Sequence, residues 1–310
     1  MTAVLSRLDA WFRAPLPNQR LQLARFCIGA YAVVYLVSRA RHLLAPLDYP
    51  PAQFAPVGMI SALDAPLGAI WLYAALAVAV LSGTAFSLGR FSRVADPVFA
   101  LSLSWVLSYR HSWGMIFHTD NLLVLHVAVL ALASAVAPVP KLGSEAPTEP
   151  AKTAEADAQS GWILRTLCLV TVATYVIAGV AKLSLAGWGW MNGSTLRDQI
   201  AYDALRKLEL GSVHSPLGTW LLPHAWVFPP LAAFSLAAEL LAPLALLGRR
   251  AAAVWCIAAW LFHAGVLALM AIAFPYPLSA VAFASFAPLE HWWPRLRARL
   301  RQVRAPARAA

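Results

Sequence analysis

Charged side chains are scarce in this sequence, with Asp, Glu, Lys and Arg together making up 12% of its 310 residues. That is too few to solvate the outside of soluble domains of this length. Meanwhile 60% of the residues are hydrophobic and the mean hydropathy is +0.65, more apolar surface than a soluble fold can hide. Cysteine is scarce as well. Cys27, Cys168 and Cys256 are odd in number, sit inside apolar stretches and show neither metal-knuckle spacing nor a disulfide framework, so they read as apolar fillers. An uninterrupted apolar stretch is missing from the first twenty residues, which hold Arg7, Arg13, Arg20, Pro15 and Pro17. No cleaved signal peptide is expected, and the first apolar helix would serve as the insertion signal. A long-period repeat is also absent, which argues against an inverted-repeat transporter. The net charge of +10 is spread over segment ends and the C-terminal tail instead of gathering on a basic face, so nucleic acid is not an expected partner.

What the chain does have is long apolar runs. Pro66 to Leu88 contains no Asp, Glu, Lys or Arg, and about 20 such residues in a helix span the ~30 Å hydrocarbon core. Helices satisfy their own backbone there, so the expected fold is all-α, a polytopic transmembrane helical bundle. Eight segments are read, at residues 21–44, 66–88, 97–109, 122–139, 162–185, 228–247, 251–273 and 277–289. An even count puts both termini on one side. With that side inside, Lys and Arg other than Arg25, Arg165 and Lys182 divide fifteen against six in favour of the cytoplasm, which places the chain in the inner (plasma) membrane with both termini cytoplasmic.

The expected organisation is one membrane domain over residues 1–310 with three accessory stretches. Residues 1–20, with Leu5, Leu8, Trp11 and Phe12 at helical spacing, suit an amphipathic interfacial helix. Residues 140–160, rich in Ala, Pro, Glu and Thr, read as a disordered cytoplasmic linker, and 290–310 as a basic cytoplasmic tail. Outside, Ser194 is placed to cap a helix running through Leu208, with Leu196, Ile200, Ala204 and Leu208 on one side and Trp188 and Trp190 at headgroup depth. That helix is expected to lie flat on the outer surface.

Ionisable groups inside membrane segments are costly and therefore candidates for function. Arg25, Arg39 and Arg165 lie near segment ends, where snorkelling explains them. His126, Lys182, Glu239 and His263 remain. At about 1.5 Å per helical residue, Glu239, His263 and His126 lie roughly 13, 18 and 20 Å from the inner ends of their segments. Their shared depth permits a metal site, or a hydrogen bond between Glu239 and a histidine. Nothing in the spacing demands the metal. Lys182, at the outer boundary, is either a snorkelling anchor or a base beside an apolar pocket.

The stretch Tyr175-Val-Ile-Ala-Gly-Val-Ala-Lys182-Leu183, followed by Trp188 and Gly193, resembles the segment of vitamin K-dependent gamma-carboxylase that carries its catalytic lysine. Phe262-His263 followed by Phe274-Pro275-Tyr276, and the opening Pro15-Leu16-Pro17 with Leu23-Ala24-Arg25-Phe26, extend the likeness. Together these resemble the HTTM (horizontally transferred transmembrane) family, relatives of the carboxylase membrane domain. The resemblance implies a quinone or hydroquinone as the redox molecule, with Lys182 at the position of the lysine that deprotonates it. His263 matches a family histidine, and Glu239 falls where the carboxylase also has an acid. The carboxylase has paired lysines where this chain has Ala181-Lys182, and no counterpart of its large lumenal peptide-binding domain follows the last segment, so peptide carboxylation is not expected. Two readings follow: an enzyme acting on a quinol-like or lipid-soluble substrate at the outer boundary, or a non-enzymatic assembly or maturation factor for an exported or membrane partner. The lipid bilayer is the expected partner in both. A thiol redox partner protein is a further implication of the resemblance.

Overall fold

A computed structural model describes residues 2–114, 116, 118–136, 141–144 and 149–292. Among them every regular element is an α- or 3-10 helix, and no strand occurs. Five helical stretches are long and apolar enough to cross a membrane: Asn18–Ser38, Ala69–Ser87, His118–Val136, Pro150–Ala186 and Arg249–Met270.

The remaining segments depart from the sequence reading for identifiable reasons. The third is part of a 20-residue helix, Ser92–His111, which begins five residues early and takes in Arg93 and Asp96. The sixth stops as an α-helix at Leu240 and continues as the 3-10 turn Ala242–Leu246, where Pro243 supplies no N–H for an α-helical bond. The eighth is not one helix. It consists of Pro275–Leu278 and a 3-10 turn, Val281–Phe286, joined through Ala280 at φ 63°.

Residues 140–160 also differ from the expected linker, because the helix ending at Ala186 already begins at Pro150. Asp157 fixes this early stretch. Its carboxylate accepts from the Asn18 backbone N–H at 2.9 Å, and its carbonyl accepts from Leu16 N–H at 2.9 Å. Proline at the helix start and the Ala and Glu that follow suit a helix, so a little packing is enough to order it. Arg165, read as a snorkelling residue, instead donates to the carbonyl of Ala14. Residues 2–13 are helical, but the Leu5 and Leu8 side chains of the expected amphipathic face lie outside the described residues, as does the tail from 293 onward.

Contacts fall into two compact units, residues 1–167 with 287–310, and residues 168–286. The helices are α1 (Thr2–Arg13), α2 (Asn18–Ser38), α3 (Ala40–Leu44), α4 (Ala69–Ser87), α5 (Ser92–His111), α6 (Asn121–Val136), α7 (Pro150–Ala186), α8 (Trp188–Met191), α9 (Ser194–Glu209), α10 (Pro216–Leu221), α11 (Phe228–Leu240), α12 (Arg249–Met270) and α13 (Pro275–Leu278).

In the first unit α4 packs against α2 and α5, and α5 against α6. Gly29 lets α2 and α4 approach closely, since a Cβ there would meet the Phe86 ring at 2.8 Å. At the centre is an ion pair. Arg25 Nη1 and Nη2 donate to the two Asp96 oxygens at 2.7 and 2.5 Å, and Nε donates to the Phe86 carbonyl at 2.8 Å. The guanidinium also lies 4.3 Å from the Phe86 ring centroid. Arg25 is therefore no snorkelling residue: both partners are buried, at 1% and 0% side-chain exposure. The chain returns to this unit through Glu290, whose two oxygens accept from Arg20 at 2.9 and 2.5 Å. Burial opposes the Glu290 charge, but these bonds outweigh it and hold the carboxyl below its usual range.

A buried pair of this kind is costly to break from one side. Asp96→Leu should destabilise the protein in detergent by about 3–5 kcal/mol, because it strands the Arg25 charge, while adding Arg25→Met should recover most of the loss. Thermal unfolding of the three proteins checks this, and equal melting of wild type and Asp96→Leu would show that the pair carries no stability.

Candidate functional site around Lys182 and Glu239

The second unit is held by Val172, Tyr175, Ala242, Ala245, Trp255, Ala259 and Phe283. Within it the sequence brings α7 against α11 through a small residue. A Cβ on Gly179 would lie 3.0 Å from the Glu239 Cβ and 2.8 Å from a Leu240 methyl carbon, so only glycine fits without displacement. Three residues on, the same face of α7 presents Lys182. Its Nζ donates to Glu239 Oε1 at 2.6 Å.

Two rings flank the ammonium, with centroids 4.8 Å (Trp190) and 4.9 Å (Phe262) from Nζ, within cation–π range. Trp190 is fixed in turn: its indole N–H donates to Ser235 Oγ at 3.2 Å, one turn before Glu239 on α11. Lys182 keeps 21% side-chain exposure and Glu239 only 4%. The second carboxylate oxygen, Glu239 Oε2, is buried and has no hydrogen-bond partner among the described residues. The site therefore holds one satisfied ion-pair contact and one buried acceptor without a partner among the described residues.

His263 stands beside this pair but is differently engaged. Its Nε2 shares a 2.7 Å hydrogen bond with the Tyr175 hydroxyl, one heptad before Lys182 on α7. The Tyr175 ring packs edge-on against Trp255, whose N–H donates to the Ala238 carbonyl at 2.9 Å. Phe262 and Phe274 lie with ring centroids 4.9 Å from the His263 ring. The expected hydrogen bond between Glu239 and His263 is thus replaced by two others, Glu239 with Lys182 and His263 with Tyr175. Tyr175 escaped the sequence reading as a partner, since a neutral hydroxyl in an apolar run gives no signal of cost.

His126 belongs to the first unit, where its buried imidazole hydrogen-bonds the backbone of Leu167. Among the described residues no group of three or more His, Cys, Asp and Glu side chains is gathered in a way that could hold a metal ion. Helix α9 runs over Ser194–Glu209, but the capping position is Gly193 at φ 80°, and no side chain caps it. A Cβ on Gly193 would collide with the backbone of Phe228 and Pro229, so glycine serves both the turn and the close approach. Ile200 and Ala204 of α9 are buried, whereas Leu208 is exposed.

Long apolar helices enclosing buried ion pairs define a polytopic helical membrane protein. Residues 13–290 match the HTTM domain, nearly the whole chain, and the protein belongs to that family. No curated protein and no solved structure matches it.

The Lys182–Glu239 contact generates an ordered series. Glu239→Gln keeps an acceptor oxygen for Lys182 and should cost less stability than Glu239→Leu, which leaves the lysine unpaired at about 1–3 kcal/mol. Gly179→Leu, which forces α7 and α11 apart, should approach the Glu239→Leu value. Thermal unfolding in detergent measures the order, and identical curves for all four proteins would remove the pair from any account of stability.

Proposed function

We propose that this HTTM protein acts on a quinol-like or other lipid-soluble substrate bearing a weakly acidic hydroxyl, with Lys182 as base and Glu239 as the group that exchanges its proton. The 2.6 Å contact between Lys182 Nζ and Glu239 Oε1 carries this reading. In a poorly solvated site, an ammonium–carboxylate pair at that distance interconverts with an amine–carboxylic acid pair by moving one proton along the bond. In the second form Lys182 has a free electron pair. A substrate hydroxyl can then give its proton to Nζ, leaving an oxyanion beside the lysine ammonium.

The surroundings fit a flat, hydroxylated substrate. Trp190 and Phe262 offer ring faces, and Glu239 Oε2 offers a hydrogen-bond acceptor. His263 and Tyr175 act as positioning residues, since their mutual bond fixes the α7 and α12 surfaces that carry Lys182 and Phe262. Gamma-carboxylase-like chemistry at an equivalent lysine supports the assignment by family. The charge asymmetry of the sequence supports an inner-membrane orientation with cytoplasmic termini and Lys182 near the outer boundary. The second reading is a maturation factor for a membrane or exported partner, a thiol redox protein among them. In that case Lys182 and Glu239 only tie helices together.

One substitution separates the two. A tie needs only a positive charge on a long stem, which arginine provides, whereas a base must release its proton, which arginine does not do. Lys182→Arg should therefore leave the protein folded and abolish quinol oxidation, or complementation of a deletion phenotype. Full function in a well-expressed Lys182→Arg protein would favour the factor and remove the base.

A further inference from the structure

We propose that Arg39, His42 and Arg110 of the first unit form a binding site for a phosphate group. The three residues come from separate elements that end at one place. Arg39 follows the last residue of α2, His42 lies on the short α3, and Arg110 occupies the last turn of α5. Arg110 Nε contacts His42 Nε2 at 3.3 Å. A guanidinium can only donate, so Nε2 is the acceptor and the imidazole proton sits on Nδ1, where it is a further donor.

His42 is exposed and neutral near pH 7. Desolvation and then the charges of Arg110, Arg39 and His111 push it down to about 4. Arg39, at a segment end where snorkelling is expected, has a buried Nε that finds no hydrogen-bond partner among the described residues. Its guanidinium carbon lies 5.6 Å from the Tyr35 ring centroid, a contact that leaves the N–H edge unused. The guanidinium carbon of Arg110 lies 6.0 Å from the Tyr49 ring centroid.

Cations brought together without a matching anion repel one another and need a reason to stay. The carboxylate that interacts with the group, Asp120, is buried and committed elsewhere: it accepts from the Tyr35 hydroxyl, and His111 Nε2 stands 3.8 Å away. Arg39, Arg41 and Arg110 make no ion pair among the described residues. The group thus offers two guanidinium groups and one imidazole N–H, all donors.

A phosphate presents several oxygens around one centre and satisfies such a set, as a flat carboxylate does not. Its position suits the source. Arg39 directly follows the first membrane-spanning helix, and the aromatic cluster of Tyr49, Phe54, Tyr109 and Trp113 lies beside it, as at a headgroup layer. Both a phospholipid headgroup and free inorganic phosphate carry this chemistry. The site is independent of the reading of Lys182.

Native mass spectrometry of the full chain, purified in detergent, tests the site with dioleoyl-phosphatidylglycerol, with dioleoylglycerol as the phosphate-free counterpart, and with inorganic phosphate as competitor. The wild-type chain should retain the phospholipid in preference to dioleoylglycerol. Arg39→Gln and Arg110→Gln should each weaken that retention about tenfold or more, and Arg250→Gln should not. Displacement by millimolar inorganic phosphate would identify free phosphate as the ligand, and resistance to it the lipid headgroup. The proposal is overturned if wild type shows no preference and binds no phosphate, a result that needs no variant. It is equally overturned if folded Arg39→Gln and Arg110→Gln proteins bind like wild type, or if Arg250→Gln weakens binding as much as they do.

Discussion

A charge enclosed among apolar helices must be matched where it stands, and both units of this protein meet that requirement with an ion pair between distant stretches of chain. In the first, Arg25 and Asp96 form a closed system: a bidentate contact, a third bond to the Phe86 carbonyl and almost no exposure. In the second, Lys182 and Glu239 form an open one, with a single contact, a fifth of the lysine side chain exposed and one carboxylate oxygen without a partner among the described residues. The closed pair has no capacity left for a ligand, so its work is packing. Spare acceptor capacity beside two aromatic faces is what sets the second pair apart as a site.

Small residues control where these pairs form. Gly29 brings α2 onto the end of α4, next to the carbonyl that accepts from Arg25, and Gly179 brings α7 onto α11 one turn before Lys182. Gly193 lets the start of α9 touch the start of α11, behind the tryptophan that flanks the lysine. At Gly29 and Gly179 the close approach lies directly beside an ion pair. Helix packing and charge pairing are here one constraint, because neither glycine-mediated approach would leave a charge solvated if its partner were absent.

Much of this was legible in the sequence. Apolar runs give the five spanning helices, and the rule that ionisable groups in such runs are costly singles out His126, Lys182, Glu239 and His263, of which the last three lie in the second unit and His126 in the first. The partners were not legible, because they are 57, 71 and 88 residues apart in the three pairs and no periodicity links such positions. Asp96 fell one residue before the expected third segment and Arg25 near the start of the first, so each looked like an end residue. Pro243 turned the end of the expected sixth helix into a 3-10 turn, a distinction that hydropathy does not record. A composition rich in Ala, Pro, Glu and Thr suggested disorder up to Ser160, but the helix begins at Pro150, and Asp157 accepts from the backbone N–H groups of Leu16 and Asn18.

The chain is an HTTM-domain membrane protein, and the geometry around Lys182 supplies a carboxylate at 2.6 Å and two aromatic ring faces. What such a site holds is its most direct property. Mass spectrometry of the small molecules retained by the gently purified protein measures it. The account predicts a stoichiometric quinone or quinol-like compound that is lost from a folded protein with Glu239→Leu, whereas wild-type protein that retains no such compound would contradict it.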